Sequence, residues 1–310
     1  MRKKRKIISL LAALAVFCTA LAFSGCEARQ TSGNPSASSA DKAKSTDTQI
    51  YYLDVGQGDS ELIRLPSGKT ILIDAGTPST ADSLCAMLKK LDVTKIDILI
   101  ATHPHADHIG GMTKVVSQFA IGKIYMPKIP DKQVPTTATY EKLLTAIDKK
   151  GMKITAGKAG VTVLDDNEEK LEFLAPNPGK INDLNNYSIV SMLTVGEKKF
   201  LFTGDAETES ERAILKKAES LQADVLKCGH HGSSTSTSAA FLKAVAPQAA
   251  VISCGEGNDY GHPHKGTLNK LQKAGVTIYR TDRQKTILAQ CDGKSIKFKT
   301  GLDSVEPDKK

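Results

Sequence analysis

The sequence contains no tryptophan, and only seven tyrosines and eight phenylalanines among its 310 residues. Proteins that hold nucleic acid bases by stacking depend on such rings, so this composition excludes an extensive base-stacking surface. The six cysteines include no CxxC pair, which excludes a zinc knuckle or a disulfide framework. We expect the four cysteines of the main part of the chain to be small buried apolar residues; they are Cys85, Cys228, Cys254 and Cys291.

Long apolar runs are also scarce. The one at residues 7–23 is too short and too interrupted to predict a transmembrane helix, and it follows the basic residues 2–6. This pattern is typical of a secretory signal. It ends in a lipobox-like sequence at residues 21–26, with Phe23 where that pattern prefers leucine. We expect cleavage before Cys26 and lipidation of this cysteine, with an uncleaved N-terminal anchor as the alternative. Either places the chain outside the cytoplasm, at the extracellular face of the membrane.

The positive charge is mostly part of this signal. Cleavage would remove the five basic residues at positions 2–6 and lower the formal charge from +8 to +3. The basic composition is therefore weak evidence for nucleic-acid binding. The remaining chain divides by composition into a flexible tether at residues 26–48, a globular domain at 49–300 and a disordered tail at 301–310.

Short apolar segments in the domain predict alternating groups of strands and helices. We expect helices at residues 79–91, after His108 and around 140–149. We expect strands at 49–55, 60–65, 70–74, 95–101, 123–126, 170–174, 188–195, 199–203, 224–227, 249–253 and 276–279, and a final hairpin of strands 286–290 and 295–299 that turns at Asp292-Gly293. The simplest packing is an α/β fold of two mixed sheets flanked by helices.

All seven histidines lie in three short clusters: His103, His105 and His108; His230 and His231; and His262 and His264. The first cluster follows a predicted buried strand and contains Asp107, which gives the pattern HxHxDH. Imidazole nitrogen and carboxylate oxygen are common zinc ligands. A strand-to-helix loop of this kind predicts a metal site, and a solvated histidine-rich loop is the alternative.

Two further strand ends carry residues of the same type. Asp205 follows an apolar strand in the run Thr203-Gly204-Asp205, where it could bridge two cations or cap a helix. His230 and His231 follow the predicted strand at residues 224–227. Three strand ends with ligand-type residues favour one shared metal site.

HxHxDH, then TGD, then HHGS, in this order, resembles the metallo-β-lactamase superfamily. Within it, residues 53–60, 73–76 and 260–264 are similar to the hydrolase domain of ComEC-type DNA-uptake proteins. The resemblance covers residues 49–299 and implies an αββα sandwich. It implies a first metal at His103 and His105, a second at Asp107, His108 and His231, and a bridging role for Asp205. Either His230 or His231 could be the ligand, and we favour His231.

Other residues are expected to act around the metals. Asp107, His262 and His264 are the expected catalytic residues. A leaving group needs a proton or a positive charge, which His262 or else His264 could supply; solvated rings in a proline-ordered loop are the alternative for these two histidines. The residues expected to orient ligands or contact substrate are Asp74, Gln57, Asp59, Asn186, His230, Ser233 and Tyr260. The chain lacks the histidine that most relatives supply from the middle of the sequence, and Asn185-Asn186-Tyr187-Ser188 stands there instead. An amide oxygen is a poorer zinc ligand than imidazole is. We therefore expect the first site to bind its ion more weakly, or to prefer a harder ion such as manganese.

We therefore expect a hydrolase with two divalent ions, zinc or manganese, whose bridging hydroxide attacks a phosphodiester. The resemblance favours extracellular DNA as substrate. One alternative is a phosphoesterase that acts on phosphorylcholine or teichoic-acid groups of the cell wall. Another, from a different class, is a non-catalytic binding lipoprotein.

Overall fold

Two mixed β-sheets pack face to face in the computed structural model, which describes residues 46–166 and 168–308. The predicted signal, Cys26 and the tether up to residue 45 lie outside the described residues. The first sheet has the order β15-β14-β1-β2-β3-β4-β5-β6. Its strands are β1 Thr48–Tyr52, β2 Glu61–Arg64, β3 Thr70–Ile73, β4 Lys95–Ile100, β5 Ala120–Pro127, β6 Ile154–Gly157, β14 Thr286–Cys291 and β15 Ile296–Leu302.

The second sheet has the order β13-β12-β11-β10-β9-β8-β7. Its strands are β7 Thr162–Asp166, β8 Glu169–Ala175, β9 Val190–Val195, β10 Lys198–Phe202, β11 Val225–Lys227, β12 Ala249–Ile252 and β13 Thr277–Arg280. The helices are α1 Ala81–Lys90, α2 Ala106–Ile109, α3 Met112–Gln118, α4 Ala138–Lys149, α5 Thr208–Leu215, α6 Ala239–Val245, α7 Lys265–Lys273 and α8 Thr281–Gln284. None of the helices in the described part of the chain is long and apolar enough to cross a membrane.

Side-chain alternation along the strands explains the layers. Ile98 and Ile100 of β4 join a core between the sheets that also contains Phe200 and Phe202 of β10. Leu99 points to the opposite face of the first sheet and packs in the core under α1, α3 and α4. A second outer core lies between the other sheet and α5, α6 and α7. Because successive residues of a strand face opposite sides, continuous apolar strands bury both faces of each sheet. The predicted αββα sandwich is confirmed.

Two strands and the C-terminus differ from the expectations. The strands β6 and β7 were not predicted; each lies at the edge of its sheet and is partly exposed. The residues after 300 are not the disordered tail that we expected, because β15 continues to Leu302 and Val305 is buried. The carboxylate of Asp308 accepts hydrogen bonds from the backbone N–H groups of Asp82 and Ser83 in α1. This segment packs on the domain because it covers apolar surface and caps a helix.

The parallel strands of both sheets place their carboxyl ends at the same edge of the sandwich. In the first sheet, β3 and β4 run parallel and end at Ile73 and Ile100. In the second sheet, β10, β11 and β12 are parallel neighbours. Loops that leave such ends form the usual ligand crevice of α/β sheets, and the predicted ligands lie in them.

Candidate metal centre

The loop after β4 is held by the carboxylate of Asp74, which follows β3. Its Oδ1 accepts a hydrogen bond from the backbone N–H of Thr102 at 2.8 Å, and its Oδ2 accepts one from the Thr102 hydroxyl at 2.6 Å. The same Oδ2 lies 2.7 Å from Nδ1 of His108. Asp74 is fully buried, and it therefore orients the loop and directs Nε2 of His108 away from itself, as expected for a residue that supports a ligand.

Four predicted ligands meet at one point. Ligand atoms of Asp107, His108, Asp205 and His231 all lie within 4.8 Å of one another. Nε2 of His108 is 3.2 Å from Oδ1 of Asp205, and Nε2 of His231 is 3.2 Å from Oδ2 of Asp107. Two imidazole nitrogens and two carboxylates form a donor set that suits zinc and similar ions.

The hydrogen bonds of this cluster fit a cation. Nδ1 of His231 lies 3.0 Å from the carbonyl oxygen of Ser253, so both ligand histidines use Nδ1 for a protein contact and keep Nε2 for the centre. Nε2 of His108 and Oδ1 of Asp205 are buried and have no hydrogen-bond partner among the described residues. Unpaired buried polar atoms are costly, and a cation between them would satisfy both.

The charges of the cluster are strongly coupled. Burial lowers the pKa of His231, but the carboxylates of Asp205 and Asp59 outweigh burial and raise it to about 10. Burial raises the pKa of Asp205, and the neighbouring imidazoles of His108 and His231 bring it well below its usual range. The cluster therefore carries ionised carboxylates beside imidazoles that hold protons when no cation is bound. A metal must displace those protons.

The first site is assembled more loosely. Nε2 of His103 lies 3.0 Å from Nδ1 of His105 and 3.9 Å from Oδ2 of Asp205. Burial lowers the pKa of His103 well below its usual range, which keeps this ring neutral and able to coordinate. Its Nδ1 lies 3.1 Å from the Thr102 hydroxyl and 3.3 Å from that of Ser188. Asp205 thus faces His108 with one oxygen and His103 with the other, which is the arrangement expected of a bridging carboxylate.

His262 and Tyr260, in the loop after β12, lie beside the ligand cluster. Oε1 of Gln57 accepts a hydrogen bond from the backbone N–H of Gly255, so its amide nitrogen faces Nδ1 of His262 at 3.5 Å. This makes Nδ1 of His262 the acceptor and leaves the proton on Nε2. The ring lies 5.5 Å from that of His230, centroid to centroid. Tyr260 is 67% exposed and stacks on His262 with the centroids 5.6 Å apart.

His264 does not face the centre as a free acid or base. Its Nδ1 accepts a hydrogen bond from the backbone N–H of Ser234 at 2.9 Å, and its Nε2 lies 3.2 Å from the carbonyl oxygen of Tyr260. Both ring nitrogens are therefore occupied by backbone groups. The contacts indicate that His264 joins two loops, contrary to the catalytic role that we predicted.

Ser233 and Asn186, which we expect to orient ligands or contact substrate, make their contacts with other protein groups. Ser233 is buried, and its hydroxyl lies 3.1 Å from that of Thr235. The side-chain oxygen of Asn186 accepts hydrogen bonds from the backbone N–H groups of Glu207 and Ser210, both at 3.1 Å. Asn186 therefore caps the start of α5.

Sequence reasoning missed Lys227, the last residue of β11. Its Nζ lies 2.7 Å from Oδ2 of Asp59, and both side chains are 1% exposed. The other oxygen of Asp59 is 3.2 Å from Nδ1 of His231. The signal available in the sequence was a lysine that follows Val225 and Leu226 in a buried strand, four residues before His231. Such a lysine is almost never buried without a carboxylate partner.

The fold, the strand-end ligands and their order along the chain agree with a comparison to known families. A family model of the metallo-beta-lactamase superfamily matches residues 53–256. The chain belongs to this superfamily. ComE operon protein 3 of Bacillus subtilis (strain 168) is 31% identical over 260 residues, which cover 78% of this chain and 33% of that protein. Competence protein ComA of Neisseria gonorrhoeae is 33% identical over 235 residues, or 75% of this chain and 31% of that protein.

Recombination protein 2 of Haemophilus influenzae is 30% identical over 240 residues, which cover 75% of this chain and 27% of that protein. The chain thus spans about a third of the length of these metallo-β-lactamase relatives. Among solved structures, CmlA, a diiron beta-hydroxylase from Streptomyces venezuelae, has a TM-score of 0.50 at 16% identity, over 76% of this chain and 52% of that one. This likeness concerns the fold.

Proposed function

We propose that this protein is a metal-dependent hydrolase that cleaves phosphodiesters, with DNA as the favoured substrate. The observation that carries the proposal is the convergence of Asp107, His108, Asp205 and His231 around two buried atoms that have no hydrogen-bond partner among the described residues. Two cations held at such a centre activate water and neutralise the charge that develops on a reacting phosphate.

The chain's own residues supply the remaining parts of the site. His103, His105 and Asp205 would hold the first cation, and the four converging residues would hold the second. His262 presents an Nε2–H because Gln57 donates to its Nδ1. This group is the candidate donor to an oxygen of the substrate or of the leaving group. His262 is 9% exposed, so its ring lies where much of the water is excluded.

The choice of DNA is supported by two of the relatives, a competence protein and a recombination protein. Tyr260 adds support, because this largely exposed ring lies beside the centre on top of His262. An exposed aromatic face can stack on any base without reading its identity. We therefore propose cleavage with little sequence preference.

The purified protein should be incubated with single-stranded DNA, double-stranded DNA and bis-nitrophenyl phosphate, in manganese and in zinc. We expect cleavage of all three, and loss of cleavage in Asp205→Asn. The matched control is Asp165→Asn, at an exposed position of β7, which should retain the wild-type rate. If the phosphodiesters stay intact while phosphorylcholine esters are cut, the protein is a wall-polymer phosphoesterase. If a β-lactam or carboxylic ester is the only substrate, the proposed bond is wrong.

Tyr260→Ala tests the assignment of DNA separately from the chemistry. Stacking is worth about 1–3 kcal/mol per base, so DNA cleavage should slow by roughly 5- to 150-fold on this scale, while turnover of bis-nitrophenyl phosphate should be unchanged. Tyr260→Phe keeps the ring and is the matched control. Equal effects of Tyr260→Ala on both substrates would argue against a stacked base.

We also propose that the enzyme works at the outer face of the cell membrane through two acyl chains on Cys26. The support is the lipobox-like sequence at residues 21–26 and the polar segment after it. Two acyl chains anchor a protein stably, whereas one does not. Cys26→Ser should release the protein from the membrane fraction; a variant that is processed and retained like wild type would contradict the proposal.

A further inference from the structure

We propose that His230 supplies a third nitrogen ligand to the first cation, in place of the mid-chain histidine that this sequence lacks. The inference rests on the proposed two-metal function and extends it to a specific residue. It concerns the site formed by His103, His105 and Oδ2 of Asp205, where only two imidazoles are otherwise available.

Two polar side chains of the mid-chain stretch, Asn186 and Ser188, are already used by other groups. The amide oxygen of Asn186 is used by the backbone N–H groups of Glu207 and Ser210. The hydroxyl of Ser188 accepts a hydrogen bond from the backbone N–H of Asp205 at 3.0 Å and lies 3.3 Å from Nδ1 of His103. The side chains of Asn186 and Ser188 therefore orient other residues and are not free to bind the cation.

His230 has the contacts of a supported ligand. Its Nδ1 lies 3.2 Å from Oε1 of Glu207 and also 3.2 Å from the hydroxyl oxygen of Thr235. Its Nε2 lies 3.7 Å from Oδ2 of Asp205. A carboxylate that accepts the Nδ1 proton leaves the lone pair on Nε2. The pair of Glu207 and His230 thus repeats the pair of Asp74 and His108 on the other side of Asp205.

A cation bound to Oδ2 of Asp205 would be within reach of Nε2 of both His103 and His230. His103 and His230 place their Nε2 atoms 3.9 Å and 3.7 Å from the same oxygen of Asp205. With bonds of about 2.0–2.2 Å, two ligands of one zinc ion cannot be farther apart than roughly 4.4 Å. Both nitrogens are within that limit of Oδ2.

The backbone provides an independent observation. His230 and His231 have φ values of 50° and 53°, in the left-handed region that is unfavourable for residues with a Cβ atom. In an extended strand two successive side chains would point to opposite faces. Here both rings face Asp205, with Nε2 atoms 3.7 Å and 3.6 Å from its Oδ2. Strain of this kind is typical of functional sites, and it directs two consecutive imidazoles to one carboxylate.

Asn186 and Glu207 complete the arrangement. Asn186 holds the backbone N–H of Glu207, and the Glu207 carboxylate holds His230. Asn186 therefore acts indirectly. It fixes the start of α5, where Glu207 contacts the proposed ligand His230.

The test is metal stoichiometry, measured by elemental analysis of the full-length protein equilibrated in buffers of fixed free zinc. We expect two zinc ions in the wild type and one in His230→Ala, with the affinity of the remaining ion unchanged. His230→Asp offers a carboxylate and should recover the second ion. Glu207→Gln should keep both ions and bind one of them about 10- to 100-fold more weakly, as is usual for a lost supporting carboxylate.

His264→Ala is the matched control, because it removes a nearby imidazole whose nitrogens contact only backbone groups. It should bind two ions. Thermal unfolding of each variant shows whether the loss of an ion is caused by unfolding. If His230→Ala does not fold, His230→Asp still tests whether a ligand at this position is needed for the second ion. If His230→Ala binds two ions with wild-type affinities, the inference is overturned even when the wild type hydrolyses phosphodiesters. If the wild type binds two ions and His230→Ala loses one, the inference holds even when no phosphodiester is cut.

Discussion

Nζ of Lys227 lies 2.7 Å from Oδ2 of Asp59, and this buried pair joins the two sheets directly behind the ligand His231. Asp59 belongs to the turn between β1 and β2, whereas Lys227 ends β11. Burial lowers the pKa of Lys227, but the charges of Asp59 and Glu61 outweigh burial and raise it well above its usual value. The pair is therefore ionised, and Asp59 keeps its charge beside His231.

Lys227→Met should destabilise the protein strongly, because it leaves the carboxylate of Asp59 buried without its partner. Breaking a buried pair from one side costs about 3–5 kcal/mol. Urea denaturation of the metal-free protein would measure the loss. The double variant Lys227→Met, Asp59→Asn removes both charges and should recover part of it. A single variant within about 1 kcal/mol of wild type would contradict a charged, buried pair.

Asp74→Asn should weaken metal binding without removing any ligand. The new amide would accept a weaker hydrogen bond from Nδ1 of His108 than the carboxylate of Asp74 does. Nε2 of His108 would then be less basic, and the ring less firmly oriented. The expected loss is about 10- to 100-fold in affinity, measured by competition with a zinc chelator. Asp165→Asn, a change of the same chemistry at an exposed position of β7, is the control. An unchanged affinity in Asp74→Asn would mean that Asp74 serves only to hold the backbone of Thr102.

Gly58→Ala should displace the ligand loop. A Cβ atom at this position would overlap the backbone carbonyl oxygen of Asp107, which cannot move without its side chain. Overpacking of this kind costs about 1–3 kcal/mol, and we also expect weaker metal binding. Gly266→Ala is the matched control, since open space surrounds Gly266 in the first turn of α7. That variant should be neutral or more stable by up to about 1 kcal/mol. Equal unfolding curves for both variants would contradict the prediction.

Removal of residues 304–310 should destabilise the domain. Val305 is 4% exposed and packs in the core under α1, and Asp308 caps that helix. The buried side chain contributes about 1.5–3 kcal/mol and the cap about 1 kcal/mol. Thermal unfolding should therefore shift downward, whereas Glu306→Gln, at an exposed position, should leave it unchanged. A truncated protein that unfolds like wild type would show that this segment does not stabilise α1.

The sequence determined the sandwich and most of the metal ligands. His103, His105, Asp107 and His108 lie within six residues of one another, and a single loop after a buried strand brings them together. Apolar strands such as β4 and β10 are recognisable because they bury both faces. The strands β6 and β7 were missed because they are partly exposed and depend on hydrogen bonds to a neighbouring strand, which local patterns do not reveal.

Only the tertiary structure decided which polar residues serve the centre. Asp59 and Lys227 are 168 positions apart in the sequence, and their pairing depends on how the two sheets pack. His230 and His231 both face Asp205 because of a left-handed backbone that their spacing does not predict. His264 follows a histidine motif, yet backbone groups 30 and four residues away occupy its two nitrogens. A motif supplies ligand chemistry, whereas the direction of each ring depends on hydrogen bonds from segments distant in the chain.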